Sequence, residues 1–128
     1  MILVDSSYFI ALMREKDMWH NDAVEISDKI KDPYLVSDLI ISESVTMVSS
    51  LEGGKAGKLL YEYFIDNCKI EFVDSVMLSR SMEILLKYDG SISLADAVSV
   101  EIMNKHRIRK IISFDSDFDK IEGIVRIH

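Results

Sequence analysis

The sequence predicts an α/β fold, a parallel sheet with helices on both faces. Short continuous apolar runs take turns with longer stretches of helical period, the pattern of strands buried on both sides. The 128 residues, 48% of them hydrophobic, suit one domain with a real core and are too few for two comfortable ones. One proline (Pro33) and five glycines interrupt the chain, with no linker, repeat or low-complexity segment.

Residues 1–4 are apolar and bounded by Asp5-Ser6-Ser7, which predicts a buried strand and then a helix from Ser6 or Ser7 to about Met13. Ala23, Ile26 and Ile30 set a helical stripe over 20–31, stopped by Asp32-Pro33. Residues 34–36 form a short strand. Ser37-Asp38 then offers an N-cap for a helix to about Leu51, and Gly53-Gly54 breaks it from the next, whose stripe is Leu59, Leu60, Tyr63 and Phe64. A third strand is expected over 69–73 and a helix over 75–88. Ser93 opens a helix to about His106. Residues 110–113 make a strand centred on Ile111 and Ile112, 115–120 a turn or short helix, and 124–127 a last strand.

Fifteen Lys and Arg against 22 Asp and Glu give a net charge of −7. That excludes a general nucleic-acid coat, whose affinity comes from counterions released at a basic surface. It does not exclude a nuclease, since acidic clusters recruit cations that meet the phosphate. A single Cys excludes a disulfide framework and a Cys-rich zinc site, and fits a reducing cytoplasm. Asp5 interrupts the first apolar run, so no signal peptide is expected, and no uncharged run approaches the roughly 20 residues needed to span a bilayer. A soluble, cytoplasmic domain is the expectation.

In a parallel sheet, ligands gather at the carboxyl ends of the strands. Asp5 and Asp115 stand at two such ends. Alone, Asp5 reads as a turn or cap residue. Glu43 lies in a helix whose core face is set by Ile41, Val45 and Val48, at the edge of a polar arc of Ser42, Thr46, Ser49 and Ser50; alone, it reads as a solvated glutamate. Ser93-x-x-Asp96 matches a capping box, yet the face of Asp96 continues with Val100 and Met103, where a carboxylate is costly without compensation. Asp115, Asp117 and Asp119 alternate after a strand. They resemble a calcium loop but lack its glycine and closing glutamate. Taken together, the acidic residues of different elements repel one another unless a cation intervenes. Oxygen donors without Cys or a suitable His point to Mg²⁺ or Mn²⁺, ions that activate water and stabilise a leaving oxygen in phosphodiester cleavage.

Four segments resemble the PIN-domain family, particularly the toxins of VapBC toxin–antitoxin pairs. Ile2-Leu3-Val4-Asp5-Ser6-Ser7 looks like the family's first strand, acidic residue and following hydroxyl. Ser37-Asp38-Leu39-Ile40-Ile41-Ser42-Glu43 is similar to the segment with its helical glutamate. Leu94-Ala95-Asp96-Ala97-Val98 resembles its Asp-Ala motif, and Ile112-Ser113-Phe114-Asp115-Ser116-Asp117-Phe118 its final Thr/Ser-x-Asp-x-Asp-Phe motif. Ser113 stands where many members have Thr. The resemblance spans the chain and implies a single PIN-like domain over residues 1–128, with a five-stranded parallel sheet in the order 3-2-1-4-5. It implies a Mg²⁺- or Mn²⁺-dependent endoribonuclease leaving a 5′-phosphate and a 3′-hydroxyl, a homodimer, an RNA substrate and a small DNA-binding antitoxin. It assigns Asp5, Glu43, Asp96 and Asp115 as the acidic quartet, Asp117 as an auxiliary metal ligand, and Ser6 and Ser113 as hydrogen-bond donors to the carboxylates. An RNA-processing nuclease without an antitoxin and a catalytically silent protein-binding module remain alternatives. A HAD-type phosphatase would need Asp where Ser7 stands, and a receiver domain an acidic pair at Asp5, although Asp74 follows the third strand.

Other features read as structure. Gly53-Gly54-Lys55-Ala56-Gly57-Lys58 fails as a phosphate loop, because Glu52 and Leu59 replace required residues. His20 is expected to cap or pack, Cys68 to be buried, and the seven methionines to fill the core. Lys105, Arg107, Arg109 and Lys110 form a basic cluster at a strand's start, away from the acidic residues. Tyr61, Tyr63, Phe64 and Tyr88 exceed what one small core needs and are expected in part at a dimer interface.

Overall fold

The computed structural model describes residues 1–128. Its five strands are β1 (Ile2–Val4), β2 (Tyr34–Ser37), β3 (Cys68–Glu71), β4 (Lys110–Ile112) and β5 (Val125–Ile127). All pairings are parallel, in the order β3-β2-β1-β4-β5. The central strand is the most apolar: Ile2, Leu3 and Val4 are all at most 2% exposed. The edge strands carry Lys69, Glu71 and Arg126, which discourages pairing with further strands.

Six helices connect them: α1 (Ser6–Met13), α2 (His20–Lys29), α3 (Asp38–Glu52), α4 (Gly54–Asn67), α5 (Ser75–Lys87) and α6 (Leu94–His106), with a short 3₁₀ turn at Ser116–Lys120. The chain steps outward from β1 to β3, returns past β1 to β4, and continues to β5. Right-handed crossovers therefore place α1–α4 on one face and α5–α6 on the other. Helices α1, α3 and α4 pack together, as do α5 and α6. The strand order reverses between β1 and β4, which opens a crevice at their carboxyl ends.

Local chemistry sets the helix starts. Ser37 Oγ accepts the Ile40 N–H at 3.2 Å, Asp74 Oδ1 the Met77 N–H at 2.8 Å, and Ser93 Oγ the Asp96 N–H at 3.0 Å. Gly53, at φ +96°, is the corner between α3 and α4. Gly57 lets α4 close onto α3, since a Cβ there would fall 1.8 Å from Ser49 Oγ and 3.3 Å from the Val45 carbonyl oxygen. The 26-residue core includes Phe9 and Phe64, edge-to-face at 4.6 Å. Each such side chain contributes about 1.5–3 kcal/mol by leaving water.

Several expectations are corrected. The buried face of α3 runs through Ile40, Ser44 and Val48, with Ile41 and Val45 at its flank. Ser44 is tolerated there because its hydroxyl donates to the Ile40 carbonyl at 2.6 Å. Leu59 points away from the core, at 55% exposed. Phe64 is fully buried and Tyr63 and Tyr88 are partly buried against the core, which leaves Tyr61 as the exposed member of the aromatic set. Among the methionines only Met77 and Met103 are buried, while Met1, Met18, Met47 and Met82 are exposed. Cys68 is half-buried, and burial pushes its thiol up to about 11. Met1 and Val73 lie just outside their strands.

Candidate active site

Each acidic segment reaches the crevice for a local reason. Parallel pairing of Val4 with Ile112 brings the ends of β1 and β4 level, and the Asp5 N–H donates to the Ile112 carbonyl at 2.9 Å. Asp5 and Ser113 are thereby adjacent. Asp5 occupies the cap position of α1 but makes no side-chain capping bond. Its Oδ2 instead accepts the hydroxyls of Ser7 at 2.9 Å and Ser113 at 2.8 Å. Asp5 is 8% exposed and Ser113 fully buried. Burial pushes the Asp5 carboxyl above the ordinary range and the Glu43 charge adds to this, while the hydroxyls of Ser113 and Ser7 oppose it.

Glu43 projects from α3, which packs against α1. Ser6 donates to Glu43 Oε1 at 2.8 Å, so consecutive residues, Asp5 and Ser6, lead to two carboxylates. Glu43 is exposed, as its polar arc predicts.

Asp96 is the third residue of α6, in the turn where the helix dipole favours an anion. It is half-buried, and its carboxyl is pushed up to about 6, mainly by burial, then by the charges of Asp5 and Asp115, with Ser93 opposing. One of its oxygens lies within 4.8 Å of one oxygen each from Asp115 and Asp117. Asp115 caps the 3₁₀ turn by accepting the Asp117 N–H on Oδ1 at 2.9 Å, which leaves Oδ2 available. Lys120 lies 3.0 Å from Asp117 Oδ1 and neutralises part of that charge.

The structure thus brings Asp5, Glu43, Asp96, Asp115 and Asp117 to the carboxyl mouth of the sheet, in two linked groups. Asp96, Asp115 and Asp117 converge directly. Asp5 and Glu43 join them through Ser113, which accepts the Asp115 N–H at 3.0 Å, and through Ser6. Asp119 turns away to a paired contact with Arg126, Nε to Oδ1 at 2.9 Å and Nη2 to Oδ2 at 3.0 Å. The basic cluster of Arg107, Arg109 and Lys110 borders the opposite, amino ends of the strands beside Met1 and Ile2.

Two participants escape sequence reasoning. Ser7 donates to Asp5 and accepts the Phe114 N–H at 2.9 Å, pinning β1's exit to β4's exit. Its spacing of two from Asp5 was the available signal. Arg126 donates from Nη1 to the Ser113 carbonyl at 3.1 Å, steadying the segment that carries Ser113 and Asp115. Nothing in its sequence context marks it.

The donor set fits a hard divalent cation. It is oxygen only, several like charges face one another, and among these carboxylates only Asp117 has an ion-pair partner, Lys120.

The PIN domain model matches residues 2–124. The chain is 26% identical over 120 residues to the 23S rRNA-specific endonuclease VapC20 of Mycobacterium tuberculosis, covering 92% of each chain. The crystal structure of VapC20 from that organism, described as a sarcin-ricin loop cleaving toxin, aligns with a TM-score of 0.89 at 24% identity, over 98% of this chain and 97% of the other. A chain of a toxin–antitoxin complex from Klebsiella pneumoniae aligns with a TM-score of 0.75 at 17% identity, over 98% and 96%. With strand order, carboxylate placement and a family match across nearly its whole length in agreement, the chain belongs to the PIN-domain family.

Proposed function

We propose that this chain is a Mg²⁺- or Mn²⁺-dependent endoribonuclease and the toxin of a toxin–antitoxin pair. The observation that carries the reading is the hydrogen-bonded run from Glu43 through Ser6, and from Asp5 through Ser113 to Asp115, which ends in the close group of Asp96, Asp115 and Asp117. A structural role alone leaves this concentration of negative charge uncompensated.

Asp5, Asp96, Asp115 and Asp117 are the residues that would hold the cation, with Glu43 at the rim. When bound, it supplies positive charge to the phosphate and makes water more acidic. The chain's own groups position. Ser7 and Ser113 fix the rotamer of Asp5, and the turn N–H of Asp117 fixes Asp115. Ser6 holds Oε1 of Glu43, an exposed residue whose second oxygen, Oε2, is left to take a proton from an attacking water. In the hydrolysis, the water oxygen bonds to phosphorus as the P–O3′ bond breaks, the leaving 3′ oxygen takes a proton from solvent water, and Glu43 returns the proton it accepted to solvent. The products are a 5′-phosphate and a 3′-hydroxyl.

The relative named for 23S rRNA makes ribosomal RNA the first substrate to try. The net charge of −7 suits an antitoxin with a basic extended segment. The same reading includes a homodimer, tested by light scattering at micromolar concentration, and a cytoplasmic location; no helix is long and apolar enough to cross a membrane.

The test is cleavage of ribosomal RNA with Mg²⁺, Mn²⁺ or EDTA, the wild type beside Asp96→Asn. Discrete products that need the divalent ion and vanish in the variant are expected. Cleavage indifferent to EDTA and to the substitution would overturn the reading. Intact RNA under every condition, with tight binding to a co-expressed partner, would favour the silent module.

A further inference from the structure

Trp19 is the only tryptophan in the chain and ends the loop between α1 and α2 instead of entering the core. Its indole lies flat on the Phe114 ring, centroids 5.3 Å apart and planes 5° from parallel, yet 39% of the residue stays exposed. Leaving that much aromatic surface in water forgoes the free energy that burial would contribute.

The ring is held in place. The main-chain N–H of Trp19 donates to Asp17 Oδ1 at 2.8 Å, and Nδ1 of the next residue, His20, donates to the Ala11 carbonyl at 2.8 Å, which fixes the backbone that carries the indole. Phe114, which backs the indole, donates its N–H to Ser7 Oγ and directly precedes Asp115. The Trp19–Phe114 stack is therefore one peptide bond from one carboxylate and one hydroxyl from another.

We infer that Trp19 is a substrate-stacking residue whose open face receives an unpaired nucleobase of the RNA beside the bond being cut. The inference rests on the endoribonuclease reading and adds to it the requirement for an unstacked base. Every base offers a π-face, and stacking on an aromatic side chain contributes about 1–3 kcal/mol. Sequence-specific RNA recognition draws on bases splayed out of loops in this way. With a net charge of −7 and the basic cluster at the far end of the sheet, this chain has little counterion release to hold RNA and needs a contact independent of charge. The Phe114 backing fixes the indole beforehand, so little side-chain freedom is lost on binding.

As the sole tryptophan, Trp19 reports on itself. The full chain is titrated with oligoadenylate and with an abasic ribose-phosphate oligomer of the same length, with Ca²⁺ present to bridge phosphate without turnover. Saturable fluorescence quenching by oligoadenylate and not by the abasic strand is expected. An equal response to both strands, or none to either, overturns the inference and leaves Trp19 as a protein-facing residue. On cleaved RNA, Trp19→Ala is expected to raise KM about 5- to 150-fold with kcat little changed, the range that corresponds to one lost stack. Trp19→Phe should recover most of it, and thermal melts of both variants check folding. If wild type cuts RNA and Trp19→Ala keeps its KM, stacking is wrong and the nuclease reading stands. If wild type cuts no RNA, the nuclease reading fails, and the two titrations still decide whether a base stacks.

Discussion

Ser113 Oγ donates to Asp5 Oδ2 at 2.8 Å across 108 residues of sequence, and the same oxygen accepts the Asp115 N–H at 3.0 Å. One hydroxyl thereby sets the spacing of carboxylates that leave two different strands. Ser113→Ala leaves the buried Asp5 oxygen with Ser7 alone and orphans the Asp115 amide. A loss of about 1–3 kcal/mol in urea unfolding is expected. Mn²⁺ affinity should fall about 10-fold or more, as when a group orienting a ligand is removed. Ser113→Thr keeps the hydroxyl and should stay near wild type in Mn²⁺ calorimetry; equal affinity in the Ala variant would show that the hydroxyl does not hold Asp5.

Asp96→Asn separates capping from cation binding. The helix cap oxygen belongs to Ser93, so the substitution should cost at most about 1 kcal/mol, and relief of repulsion from Asp5 and Asp115 should offset that. The metal-free variant is expected to melt at or above the wild-type temperature, and Mn²⁺ is expected to raise the melting temperature of wild type and not of the variant. Melts with and without Mn²⁺ check this, and an unchanged Mn²⁺ response would remove Asp96 from the site.

Without metal, the Asp96 carboxyl at about 6 makes the fold sensitive to pH. The folded chain holds this proton more tightly than the unfolded chain, whose value is near 3.8. The contribution is therefore fully present below about pH 4 and is lost as pH rises through about 6. The gap corresponds to at most about 3 kcal/mol, and to about 1 kcal/mol once the half-exposed setting is allowed for. Asp5 shifts in the same direction. Proton and cation compete for these oxygens, so Mn²⁺ affinity should rise over the same interval. Melting in EDTA and Mn²⁺ titration from about pH 4 to about pH 8 test the two signs; curves rising together would contradict the assignment.

Gly57→Ala tests the α3–α4 contact. A helical alanine gains up to about 1 kcal/mol over glycine, but the new methyl would collide with Ser49 and crowd the Val45 carbonyl. A net destabilisation of about 1–2 kcal/mol is expected. Gly57→Ala with Ser49→Ala should recover part of it, and urea unfolding of the single and double variants gives the coupling. A more stable single variant would mean that the helices separate freely.

Much of this was legible in the chain. Apolar runs mark β1, β2 and β4 because those strands are buried on both faces, and the position of Asp5 and Asp115 just past two of them locates the crevice. Asp96 was visible as an acid on an apolar face. The α3 core face was misplaced because buried Ser44, satisfied by its own helix, breaks the apolar stripe that periodicity seeks. Leu59 and the aromatic residues were misjudged because helical spacing does not reveal which face another helix covers. Ser7, Arg126 and the Trp19–Phe114 stack depend on contacts between distant segments, which leave no local pattern.

The pairing of β1 with β4 has a consequence for the living cell. Leu3 meets Ile111, so the central strand waits for a partner made more than a hundred residues later. Until then Asp5 lacks Ser113, and Asp96 lacks Asp115 and Asp117. A nascent polypeptide still attached to the ribosome that builds it carries only fragments of the carboxylate cluster. The complete cluster, drawn from both ends of the sequence, arrives only with the closing of the sheet.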